Sequence, residues 1–191
     1  MKHHRSIALP TIAVLTLLAI PGCASWDVRS ESARTPETHT QAQPARQLSP
    51  IDQLRALSGT WVAVAPPEKG QKPAMVVFKP TAGGSAVMET MFPGSDREMV
   101  NLFTPDANGL AMTHYCSMGN QPQMMTKTIA DPSPKSLTFS LSHVYGLRTP
   151  GDWHNTGLTL TLDDTQHLTQ VWTYEYNGKK GTNTFRFTRT L

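Results

Sequence analysis

From residue 60 to residue 190 the chain alternates apolar and polar positions in short runs, the period of strands with one buried face. The runs predict strands at 60–65, 75–80, 85–92, 97–104, 110–117, 122–129, 136–145, 156–163, 167–176 and 181–190. Turn chemistry separates them: "PTAGG", "PGSD", "PDANG", "ADPSPKS", "LDDTQ" and "YNGKKG". Asn177-Gly178 is the strongest hairpin signal among these. "SLTFSLSHVYG" sets Leu137, Phe139, Leu141, His143 and Tyr145 on one face, and "TGLTLTLDD" sets Leu158, Leu160 and Leu162 against Thr159 and Thr161. Helical periodicity occurs only at "SPIDQLRALSG". There Ser49 can cap, Pro50 fits the first turn, Ile51, Leu54 and Leu57 share a face, and Gly59 stops the helix.

About ten antiparallel strands joined mostly by short turns form a meander, and a meander of that length curls and closes because closure removes its edges. The expected fold is all-β, a closed antiparallel barrel with one short N-terminal helix capping an end. Ten strands leave an interior wider than side chains fill easily, which allows a ligand cavity. A two-sheet sandwich is the rival; it needs long crossovers, and only 65–75 and 146–155 are long.

The first fifty residues have a different pattern. "MKHHR" is a short positive stretch followed by an apolar run from Ile7 to Ile20, too short for a spanning helix and arranged as a secretory signal. The run ends "AIPGCAS", where Ile20, Pro21 and Gly22 lead into Cys23, resembling a bacterial lipobox. That resemblance implies cleavage before Cys23, lipidation of Cys23 and anchoring in the bacterial cell envelope. Ala24 and Ser25, with no Asp after the cysteine, point to the periplasmic face of the outer membrane. The membrane is then a partner through the lipid, since several acyl chains make a lasting anchor. Residues 23–49, rich in Ser, Thr, Gln, Pro and Arg, cannot bury enough surface to offset their ordering entropy, so they read as a disordered tether containing a solvated His39. The organisation is signal peptide 1–22, tether 23–49 and barrel 50–191.

Cleavage removes Lys2 and Arg5, which leaves fifteen basic against fourteen acidic residues, a net charge of +1. With no basic patch, nucleic acid is not an expected partner. With Cys23 lipidated, Cys116 has no intrachain partner, so a disulfide framework is excluded. A lone thiol in an oxidising compartment survives best when buried.

Gly59-Thr60-Trp61, between the helix and the first strand, resembles the G-x-W opening of the calycins, the superfamily of lipocalins and fatty-acid-binding proteins. The resemblance implies that Trp61 closes one barrel end and that an arginine of the last strand packs over it. In "FRFTRTL" Arg189 shares the parity of Phe185 and Phe187, which makes it the partner. A second resemblance covers residues 57–189. Glu89, Pro93, Gly94, Glu98, Met99, Val100, the "THYC" of 113–116, the "GNQP" of 119–122, the "HLT" of 167–169 and Trp172 are similar to a family of secreted bacterial proteins known only as a lipocalin-like domain of unknown function. It implies a fold and no chemistry.

The candidate chemistry centres on "THYC". Residues i and i+2 of a strand share a face about 6.5–7 Å apart, so His114 and Cys116 point together. The "PDANG" hairpin brings Asn101 near His114 and Met99 near Cys116, with Leu110, Met112 and Phe103 on the same, inner, face. Four readings follow. A cysteine nucleophile with a histidine base needs closer contact than this spacing gives, so catalysis is not expected. A metal or haem site would use His114, Cys116 and His143, with His154, His167 or Glu89 as further donors. A buried His114 bonded to Asn101, with Cys116 as filler, is the purely structural reading. An apolar or amphipathic small ligand bound inside the barrel would be lined by Met99, Asn101, His114, Cys116, His143 and Tyr145. A non-catalytic envelope interaction module is a further alternative. No cofactor is required, and metal or haem is allowed. The methionines read as core filling, Glu89 as a surface acid, and Trp172, Tyr174 and Tyr176 as one aromatic face.

Overall fold

The computed structural model describes residues 49–67, 69–70, 72–107, 109–129 and 135–190. The expected signal peptide, the expected lipidation at Cys23 and the expected tether with His39 lie outside the described residues. A short helix α1 (Pro50–Ala56) precedes ten strands: β1 (Gly59–Ala63), β2 (Met75–Thr81), β3 (Ala86–Met91), β4 (Met99–Asp106), β5 (Gly109–Tyr115), β6 (Gln121–Thr126), β7 (Ser136–Tyr145), β8 (His154–Leu162), β9 (His167–Tyr176) and β10 (Lys179–Arg189). Each strand pairs antiparallel with its chain neighbours, and β1 pairs with β10, so the sheet is a closed barrel. No described helix is long and apolar enough to cross a membrane.

Alternation sends one face of every strand inward. Val76, Phe78, Val87, Phe103, Leu110, Met112, Met124, Leu137, Phe139, Leu158, Leu160, Leu168 and Phe187 form one apolar core. The helix caps one barrel end. Ser49 and Asp52 bond each other's backbone and side chain as a capping box, and α1 buries Ile51, Leu54 and Leu57 in the core. Arg55 donates to the Gly84 carbonyl and pairs with Asp52, tying the helix to the turn between β2 and β3. At this end, called here the helix end, Trp61 is fully buried and donates from Nε1 to the Leu57 carbonyl at 2.8 Å. Arg189 lies over the indole, its guanidinium carbon 4.2 Å from the ring centroid. It donates to the carbonyls of Ser58 (2.7 Å), Ala56 (2.8 Å) and Thr165 (3.2 Å).

Two bulges break the alternation at the other end, the open end. In β7, Leu141 pairs with Met124 and His143 with Gln123, leaving Ser142 unpaired. In β8 the register shifts between Asn155 and Gly157, so His154 and Asn155 are both buried. A single extra residue inverts every side chain beyond it. His143 and Tyr145 therefore turn outward although they share the sequence parity of Leu137 and Phe139. This corrects their expected place on the inner face.

Candidate functional site

Three consecutive hairpin strands align the polar residues of the interior. Glu89 of β3 stands opposite Asn101 of β4, and Asn101 stands opposite His114 of β5. All three are completely buried, so Glu89 is not the surface acid its isolation in the second hairpin suggested. Val87 and Met91 flank it on the same inward face. From the opposite wall Gln170 of β9, also fully buried, reaches across the lumen and donates to Glu89 Oε1 at 2.6 Å. Asn101 Nδ2 donates to Glu89 Oε2 at 2.7 Å and lies 3.4 Å from Met91 Sδ. Trp172 Nε1 donates to Gln170 Oε1 at 3.1 Å. The result is one chain of hydrogen bonds: indole, Gln170, Glu89, Asn101, His114.

The chain fixes its own donors and acceptors. Indole N–H can only donate, so Gln170 turns Oε1 toward Trp172 and its amide N–H toward Glu89. While Glu89 is ionised, Asn101 likewise gives its N–H to Glu89 and turns Oδ1 toward His114 Nδ1, 2.6 Å away. Nδ1 therefore carries the proton, and Nε2 carries a bare lone pair. His114 Nε2 is buried and has no hydrogen-bond partner, and the ring packs against Trp172 at a centroid distance of 5.1 Å. Burial holds the imidazole well below its ordinary pKa, at about 4, so it is neutral at physiological pH. Burial also raises the Glu89 carboxyl to about 7, against the two amide donors that favour its ionised form.

Beyond this layer the barrel is less completely filled. Asn183 shares the parity of the inward Phe185 and Phe187 and pairs with Trp172, yet it is exposed. Met99, Phe185 and Tyr174 are inward and only half-buried. Phe185 meets Phe92 at 6.0 Å, and Tyr174 stacks on Trp153 at 5.5 Å. The open end thus leaves aromatic and thioether side chains partly exposed. A second buried polar atom without a partner, Asn120 Oδ1, lies at this end, where Asn120 Nδ2 donates to the Trp153 carbonyl at 2.8 Å.

The structure places the remaining sequence candidates as follows. Met99, Asn101, His114 and Cys116 come together. Cys116 Sγ lies 4.0 Å from Met99 Sδ and accepts the Met118 N–H at 3.5 Å. Burial pushes its thiol pKa up, which keeps it protonated and unreactive, and His114 is bonded to Asn101 rather than to Cys116. His143 is exposed and packs edge-on against Tyr145, itself 53% exposed, so the trio of His114, Cys116 and His143 is not assembled. His154 is buried and donates from Nδ1 to the Asp152 carbonyl at 2.9 Å. His167 is exposed beside Asp164 at the helix end. Among the described residues no three metal-ligating side chains converge. Gln170 escaped sequence reasoning, although a polar residue at the inward parity of Leu168 and Trp172 is the signal that finds it.

No family model matches the chain, and no curated protein matches it. Among solved structures the chain is similar to Rv2717c from M. tuberculosis, with 14% identity and a TM-score of 0.49 over 75% of this chain and 99% of that one. The resemblance to a lipocalin-like family rests on the matched sequence positions between Glu89 and Trp172 alone.

Proposed function

We propose that this protein is a lipid-anchored envelope barrel of calycin type that reversibly binds one small amphipathic molecule at its open end. The molecule's O–H or N–H group would sit on His114 Nε2 and its apolar body against Met99, Phe185 and Tyr174. The observation that carries this reading is the buried, unpartnered Nε2. A buried acceptor without a donor costs about 1–3 kcal/mol, and a ligand that donates to it recovers that loss. The lipobox ending in Cys23 supports the anchor and the envelope location.

The test is calorimetric titration with indole, a small apolar molecule that only donates, on wild type and on His114→Phe. Wild type is expected to bind, and the variant to bind about tenfold more weakly, the value of one hydrogen bond. Equal affinity, or no binding by either, removes this reading. Haem is the metal occupant that brings its own ligands; a Soret shift on haem addition that His114→Phe abolishes would replace the organic ligand with iron. The intact mass of the mature protein tests acylation at Cys23.

A second reading, an envelope interaction module, draws on Val64, Tyr115, Met118, Tyr145 and Tyr176, all exposed at the open end. It is preferred if the purified barrel binds no small molecule while removal of Tyr145 and Tyr176 abolishes co-purification of a specific envelope protein.

A further inference from the structure

We propose that Glu89 determines the specificity of this site, because its protonation reverses the polarity of His114 Nε2 through the intervening amide. The inference rests on the ligand-site reading above for its consequence, but the reversal itself does not.

Both oxygens of Glu89 face N–H groups. An ionised carboxylate accepts both bonds, whereas a protonated one must donate one. One neighbouring amide then has to turn. Gln170 is held in place, because its Oε1 already serves the donor-only Trp172 indole. Asn101 can turn, because its other partner is a neutral imidazole that can accept as well as donate at Nδ1. After the turn Glu89 Oε2–H donates to Asn101 Oδ1, Asn101 Nδ2–H donates to His114 Nδ1, and Nε2 carries the proton. The balance is one proton taken up at Glu89. His114 loses a proton at Nδ1, gains one at Nε2 and stays neutral. One end of the chain is locked by the indole and the other is free, so the change can appear only at Nε2.

No other charge competes at Glu89. Besides Asn101 and Gln170, the buried inward side chains of β2, β4 and β9 are Val76, Phe78, Phe103, Leu168 and Trp172, all apolar apart from the indole N–H. On α1, Arg55 is engaged with Asp52 and Gly84. His114, through Asn101, is the titratable group in the chain, with Cys116 beyond it on the same wall. The raised pKa of Glu89, about 7, puts the reversal in a physiological range. The site is then an acceptor that selects N–H or O–H ligands above neutrality, and a donor that selects carbonyl or ether ligands below it.

The tautomer is read by nitrogen NMR on protein labelled at histidine, at about pH 9 and about pH 5. The expected result is an Nδ1–H imidazole at the higher pH and an Nε2–H imidazole at the lower, with no gain of positive charge. Glu89→Gln should give the Nε2–H form at both, because an amide at this position donates to Asn101 permanently. Trp172→Phe frees Gln170 to turn instead and should uncouple the tautomer from pH. A His114 that keeps one tautomer across this range in wild type overturns the proposal, whether or not Glu89→Gln folds. Binding is measured on the same samples with indole and with a methyl ketone of similar size. The ketone is expected to bind about tenfold more tightly at the lower pH and indole about tenfold more tightly at the higher. A tautomer change with neither probe binding upholds the relay and removes the ligand reading; indole binding with a fixed tautomer does the reverse.

Discussion

The two ends of the barrel are built from the same ten strands and obey opposite rules. At the helix end the packing is mostly apolar, with Gln53 the buried polar residue of α1; Leu54 and Leu57 insert into the core, and Arg189 seals the indole of Trp61 with three carbonyl contacts. At the open end the inward positions include a carboxyl, two amides and an imidazole, and the strands carry two bulges. The first arrangement maximises burial with every polar atom of Trp61 and Arg189 satisfied. The second gives up burial and, among the described residues, leaves His114 Nε2 and Asn120 Oδ1 unpaired. Unpaired buried groups are rare in proteins, so their confinement to one end marks where the barrel is built for something other than its own stability.

Substitutions that separate stability from binding test this contrast. The largest effect is expected at the helix end. Trp61→Ala removes a fully buried indole, orphans the Leu57 carbonyl and strips Arg189 of its stacking partner. It should cost about 3–5 kcal/mol in urea unfolding and leave indole binding by the surviving folded fraction unchanged. A loss below about 1 kcal/mol would mean that the helix end is not the stabilising one.

The next effect concerns pH and comes from the polar layer. The folded-state pKa of Glu89 is raised from 4.5 to about 7. Its contribution is therefore fully present below 4.5 and is lost as pH rises through 7. The folded-state pKa of His114 is lowered from 6.5 to about 4, so its contribution is present above 6.5 and is lost as pH falls through 4. Each amounts to roughly 3 kcal/mol, and the two slopes oppose each other across the acid-to-neutral range. Wild-type unfolding free energy should be nearly level with pH. Glu89→Gln should acquire a profile that rises with pH, and His114→Gln one that falls. Level profiles in both variants would show that the layer is not buried as a unit.

A smaller effect is expected for Arg189→Met, about 1–2 kcal/mol, the worth of a cation over an indole together with exposed carbonyl bonds. The smallest is Asn183→Ala at the open end, within about 0.5 kcal/mol in stability. If Asn183→Ala also leaves indole affinity unchanged, the ligand does not pass β10.

Much of this was legible in the sequence. Alternation and turn residues located all ten strands to within a few residues, because a period of two with legible turns has few competing interpretations. The pairing of Asn101 with His114 followed from the hairpin between β4 and β5, whose register a short turn dictates. The inversion in β7 was not legible, because Ser142-His143-Val144-Tyr145 continues an unbroken alternation through the bulge. Its one trace is Val144, an aliphatic residue at the wrong parity. Glu89 and Gln170 were obscured for another reason. Each is a polar residue at an inward position, and what makes that tolerable is a partner on the opposite wall, 81 residues away, which only closure of the barrel brings near.

The latch of Arg189 bears on the order in which the molecule assembles. Each pairing from β1–β2 through β9–β10 joins neighbours along the chain, while the β1–β10 seam joins its extremes, with Arg189 bonding carbonyls 131 and 133 residues away. Such a contact carries the highest loop-closure cost and forms late. Until it does, β1 and β10 are two bare edges able to recruit strands from other copies. The arginine that finishes the fold is thus also the safeguard against self-association, and conditions that loosen it should appear first as oligomers and only later as unfolding.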